Sequence, residues 1–233
     1  LSSSSAASDV YKRQVQNEAG EGLMAISTYA ELQTATANWL DRTDLTARIP
    51  EFIELAEANF NRVVRQPDMV TKNDSFSIAG RYTTLPTDTL EIVRIVIDLT
   101  PVIVLEYLTP EEISERRIVM SATGKPYYFT VIGGSSNQLE VVPSPDDTYT
   151  SSIVYYTRIP ALTDSATTNW LLTAHPDIYL FGTLVEAEPY LKNDERMPMW
   201  TSRLDKALMA LRLQGERELH TGSSLRMRAR VLG

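Results

Sequence analysis

Between residues 69 and 160 the apolar side chains of this chain recur at every second position, whereas on both flanks they recur at every third and fourth. The first spacing belongs to half-buried strands and the second to amphipathic helices. A chain patterned in this order cannot be all-α or all-β, and it does not alternate strand with helix as a parallel α/β sheet would. The pattern predicts an α+β fold. Helices from the two chain ends pack together as one bundle, with an antiparallel β domain inserted between them.

The helical signals are specific at the amino-terminal end. Thr28 followed by Glu31 fits a capping box, and Leu32, Ala35, Trp39 and Leu40 fall on one face of a helix from about Tyr29 to Asp41. Asp44 can cap a further turn, and Pro50 is tolerated near a helix start. Phe52, Ile53, Ala56, Phe60, Val63 and Val64 then make an apolar stripe that Pro67 ends. The opposite face carries Glu51, Glu54, Glu57, Asn61 and Arg65.

In the sheet region Phe76 and Ile78, then Ile92, Val93, Ile95 and Ile97, then residues 102–108 read as strands. Gly80 and Arg81 make one turn, and residues 133–137 make another that pairs 127–132 with 138–142 as a hairpin. A last strand is expected over 149–159. Thr109, Pro110 and Glu112 start a short helix reaching about Val119.

Helical spacing returns over 176–191, with Ile178, Leu180, Phe181, Leu184 and Val185 available for burial. A final helix from about Glu195 carries Trp200, Leu204, Ala207, Leu208 and Leu211 beside Arg203, Lys206 and Arg212, with Arg217 near its end, and should stop near Gly222. The expected organisation is a bundle from 24–67 and 161–221, a β domain at 68–160, and a basic tail at 222–233.

Residues 1–23 stand apart. Ser4 to Gln14 resemble the conceptual translation of a transposase-based sequencing adapter, and Glu18 to Gly22 would be written in purine-rich codons like those before a start codon. The natural chain is therefore expected to begin at Met24.

Composition narrows the functional classes. With 43% hydrophobic and 22% charged residues, 233 positions suffice for a sizeable core. Cysteine is absent, so no disulfide, zinc–thiolate centre or thiol nucleophile can form, and a reducing compartment is the simplest setting. The longest apolar runs, 92–99 and 102–105, are broken by Arg94, Asp98 and Pro101, too short to span a bilayer. A net charge of −8 argues against a broad duplex-binding face, which needs clustered cations.

No motif spells out a reaction. His175 and His220 stand in no metal-ligand spacing, and His175 beside Pro176 reads as a helix-start residue. Gly133, Gly134, Ser135 and Ser136 lack the lysine and following helix of a phosphate loop. No Gly-x-Ser-x-Gly elbow exists. Glu51, Glu54 and Glu57 could gather a metal, but their spacing is equally that of a solvated helix face, and two-metal sites draw ligands from several segments. We read them as solvated. Glu186 and Glu188 diverge around their helix, and Tyr127, Tyr128, Tyr155 and Tyr156, without interleaved cations, read as cross-strand packing. Neither a catalytic residue, a metal ligand nor a cofactor site is expected.

The order and spacing of three stretches carry a resemblance. Thr28 to Gln33, Asn38-Trp39-Leu40 and Asp44 to Glu57 come first; Tyr82 to Pro86 follows; Asn169 to Leu172, His175 to Gly182 and Glu186 to Leu191 complete it. Together they resemble head-to-tail adaptor proteins of short-tailed phages, similar in plan to the tail tubular protein A of podoviruses. That resemblance implies a structural virion protein, made in the bacterial host cytoplasm and located in the neck between capsid and tail. It would form a ring, expected to have twelve subunits, between the portal protein and the tail nozzle protein, with DNA passing through its channel without sequence-specific binding. It also implies that the tail, through Leu225, Arg226, Met227, Arg228 and Arg230, docks on the portal or on a neighbouring subunit. A virion-associated hydrolase and a carbohydrate- or host-binding β module are the alternatives.

Overall fold

Thr28 starts the first helix by a reciprocal exchange: its hydroxyl accepts from the Glu31 N–H at 3.3 Å, while the Glu31 carboxylate accepts from the Thr28 N–H at 2.9 Å. Helix α1 (Tyr29–Leu40) then runs until Asp41 turns left-handed at φ 52° and returns its N–H to the Asn38 carbonyl. The computed structural model describes residues 26–42, 44–133, 137–191 and 195–220, and the side chains of the last part to Glu218. The expected leader and the docking residues of the tail lie outside these residues.

Helix α2 (Ile49–Val63) buries Phe52, Ile53, Ala56 and Phe60 along one face, the spacing its sequence predicts. The edge of that stripe is displaced: Val64 is buried and Val63 exposed. Asp44, expected to cap a turn, instead holds Arg42 in a two-pronged ion pair at 2.7 Å. Helix α3 (Pro110–Val119) opens with the expected Thr109–Glu112 capping box and with proline in its first turn. Helices α4 (Trp170–Ala174), α5 (Pro176–Leu191) and α6 (Met197–His220) follow. Asn169 caps α4 by accepting from the Leu172 N–H at 2.8 Å. Five residues are too few to show a helical period, so α4 leaves no such signal in the sequence.

Among the described residues eight strands form two four-stranded sheets: β1 (Val70–Ile78), β8 (Tyr149–Thr157), β3 (Thr89–Ile97) and β4 (Ile103–Val104) in that order, and β2 (Tyr82–Thr84), β7 (Gln138–Val142), β6 (Tyr128–Ile132) and β5 (Glu106–Tyr107) in the other. Phe76, Ile78, Ile95, Ile97 and Ile153 from the first sheet join Leu105, Phe129, Leu139 and Val141 in one apolar cluster. The expected hairpin is present, with Thr130 opposite Glu140 and Ile132 opposite Gln138.

One pairing departs from the antiparallel expectation: β5 runs parallel to β6, Glu106 opposite Tyr128. The cause is α3, which carries the chain back so that β6 enters in the same direction as β5, as a crossover requires.

The fold is therefore a mixed α+β one, with six α-helices among the described residues. By contact density the chain divides into two compact units. One comprises residues up to Val63 together with Ile159–Leu211, and the other Val64–Arg158 with the residues from Arg212 onward.

Candidate functional site

Glu57 overturns its reading as part of a solvated face. Glu51 and Glu54 are exposed, but Glu57 is only 6% exposed, and its Oε1 accepts from the Leu162 N–H at 2.8 Å and from the Tyr179 hydroxyl at 3.1 Å. Asn169 donates one amide hydrogen to that hydroxyl at 2.6 Å and the other to the Pro160 carbonyl at 2.7 Å. Asn61, one turn after Glu57, accepts from the Ile159 N–H at 2.8 Å. α2 thus supplies acceptors to the backbone of the segment that leads from β8 to α4. Burial holds the Glu57 carboxyl above the ordinary carboxylate range, against the bonds from Leu162 and Tyr179 that pull it down. Burial and the same carboxylate push the Tyr179 hydroxyl strongly upward. The Glu57 Oε1 is thus held by the Leu162 backbone and the Tyr179 hydroxyl, an arrangement that ties α2 to the segment before α4 and to α5.

A second cluster joins α1, α5 and α6. Trp39, Phe181 and Trp200 lie with ring centroids 5.4 to 6.0 Å apart, and the Arg203 guanidinium sits 5.6 Å over the Phe181 ring. Trp39, expected on a buried face, is 44% exposed and forms the solvent edge of this cluster. Glu188, dismissed as a weak feature of the sequence, is 1% exposed, and its Oε1 accepts from the Trp200 indole at 2.9 Å.

In the β unit, Glu140 of β7 gathers two arginines: Arg81 at 2.8 Å and Arg117 of α3 at 2.7 Å, with Arg117 also donating to the Val141 carbonyl at 3.0 Å. This fixes α3 on its sheet.

The β unit holds a cleft of about 500 Å³ where β4 and β5 stop. Leu85, Leu105, Phe129 and Val131 line it. Val93, Val104 and Tyr107 stand at its rim, 54%, 59% and 56% exposed. Two irregularities of register in β3, between Thr89 and Glu91 and between Ile92 and Arg94, reshape this edge. Tyr155 is buried as cross-strand packing requires, while Tyr127 is exposed.

No three His, Asp or Glu side chains converge as a metal site among the described residues, and no helix among them is long and apolar enough to cross a membrane. His175 ends α4, its N–H bonded to the Leu171 carbonyl at 2.8 Å. Exposed apolar and aromatic side chains include Trp39 on α1, Val93 on β3, Tyr107 on β5 and Ile118 and Val119 at the end of α3. Residues 27–228 match the family model described as SU10 adaptor protein, and the chain belongs to that family of phage structural adaptors. Among curated proteins none matches it.

Proposed function

We propose that the chain is the head-to-tail adaptor of a short-tailed phage: a ring subunit, twelve to the ring, that links the portal protein to the tail nozzle protein in the virion neck and surrounds part of the DNA channel. The observation that carries this reading is the family match over residues 27–228, which takes in both helical ends and the whole sheet region. In this reading the helices of both ends form one bundle and residues 68–160 are the inserted domain. Leu225, Arg226, Met227, Arg228 and Arg230 dock on the portal or on a neighbouring subunit in the assembled neck. A net charge of −8 suits a channel wall, because every phosphate contact made there would have to be broken again during DNA passage. No catalytic step is assigned.

The experiment is assembly without the chain. Particles should accumulate as DNA-filled heads that carry portal and lack tails, and tailed, infectious particles would overturn the reading. A virion hydrolase or a carbohydrate-binding module would instead leave neck assembly intact and change wall digestion or host attachment.

A further inference from the structure

One side of the β unit is covered over only half its length. β4 pairs with β3 at Val96 and Ile97, and the Leu105 N–H reaches the Ile95 carbonyl at 3.0 Å. Beyond that point, no strand among the described residues lies beside 89–94 of β3 on the edge away from β8. Across the cleft, β5 pairs with β6 only at Tyr128 and Phe129, so residues 130–132 have no neighbour on that side either. The Thr89 hydroxyl in the cleft wall is 3% exposed and has no hydrogen-bond partner. An open strand edge bordered by apolar side chains is a template for another strand.

The chain carries a segment of the right pattern and length. Residues 225–231 read Leu-Arg-Met-Arg-Ala-Arg-Val, a strict alternation of apolar and basic side chains. In an extended strand the two sets point to opposite faces, which would put Leu225, Met227, Ala229 and Val231 on the cleft and the three arginines in water. The six-residue edge 89–94 matches this seven-residue segment.

Position favours the same chain as the source. A Cβ on Gly215 of α6 would overlap the Gln66 amide and lie 3.1 Å from Pro67, so the last turns of α6 lie against the start of β1. Arg65, next in sequence, reaches Glu91 of the cleft lining at 3.5 Å. From His220 to Leu225 the chain takes five steps through Thr-Gly-Ser-Ser and can span up to about 17 Å, against roughly 14 Å for the three strand spacings from β1 past β8 and β3 to the open edge. Glu91 and the neighbouring Asp88 attract a tail with three arginines and no acid, while Arg94 in the lining opposes it. The apolar rungs therefore carry the docking.

We infer that in the free chain residues 225–231 add as a strand to the open edge of β3 and cover the cleft with Leu225, Met227 and Val231. The inference concerns the chain before assembly and does not depend on what the tail binds in the virion.

The absence of cysteine makes the test clean. A V93C/M227C double variant of the full chain, oxidised in dilute solution, should give an intrachain-bridged monomer of faster migration and lost free thiols. V119C/M227C, which uses the exposed end of α3, should give none. Absence of the V93C/M227C bridge, or bridged dimers alone, would overturn the inference. As a second measurement, truncation after Thr221 should speed amide exchange of residues 89–94 by about tenfold or more, since a lost strand partner exposes those groups. Unchanged exchange there would also overturn it.

Discussion

The Tyr179 hydroxyl donates to the Glu57 carboxylate across 3.1 Å, joining two buried residues 122 positions apart. Glu57→Gln keeps an oxygen for Leu162 and Tyr179 and removes the buried charge. Glu57→Ala leaves the Leu162 N–H unpaired, and should cost about 1–3 kcal/mol. Chemical denaturation of the two variants beside the parent chain checks the order: Gln close to the parent, Ala well below.

The same pair sets a pH dependence. Because the folded carboxyl is raised above its ordinary value of 4.5, the native state holds a proton that the unfolded chain has released. Stability contributed at Glu57 is therefore fully present below about pH 4.5 and falls as pH rises through the folded value. The difference between the parent and Glu57→Gln should shift in favour of Gln across that window. Parallel curves from pH 4.5 to 7 would contradict it.

How much of this was readable from the chain depended on distance along it. The boxes Thr28–Glu31 and Thr109–Glu112 close within three residues, so their sequence contained everything needed to place them. Glu57 sits three residues from Glu54 and looks the same. Only Leu162 and Tyr179, 105 and 122 residues on, make it an inside residue. The cleft was equally hidden, because it is defined by where the two-residue strands β4 and β5 stop, and two residues have no period. The parallel entry of β6 followed from α3 as a crossover rather than from any pattern in β5 itself.

Gly182 allows α2 and α5 to approach. A Cβ there would run into the ring of Phe60, itself 1% exposed, and lie 3.5 Å from the Ala56 Cβ. In an open helix Gly→Ala stabilises by up to about 1 kcal/mol, but overpacking a buried contact costs about 1–3 kcal/mol. The clash decides the sign. Gly182→Ala should lower the melting temperature, by roughly 2–4 °C for each net kcal/mol lost in a chain of this size.

The Trp200 indole donates to Oε1 of the Glu188 carboxylate at 2.9 Å, and Oε2 has no partner among the described residues. Trp200→Phe keeps the ring packing on Phe181 and removes that donor. It should destabilise by about 1–3 kcal/mol, because a buried acceptor loses its donor, and adding Glu188→Gln should recover part of the loss. Additive losses in the double-mutant cycle would show the two residues to be uncoupled.

Arg117 donates to Glu140, Ser144 and the Val141 carbonyl at once, so Arg117→Ala should loosen α3 from its sheet. Amide exchange over Pro110–Val119 should accelerate while α2 and α5 exchange as before. Equal acceleration everywhere would mean global rather than local loss.

The central claim is that this chain joins the portal to the tail, and mass in solution tests it most directly. Mixed with the purified portal of its own phage, the chain should move from its free mass into a complex whose mass equals the portal plus one adaptor ring, twelve copies by the proposed count. A chain that keeps its free mass at every portal concentration would contradict the account.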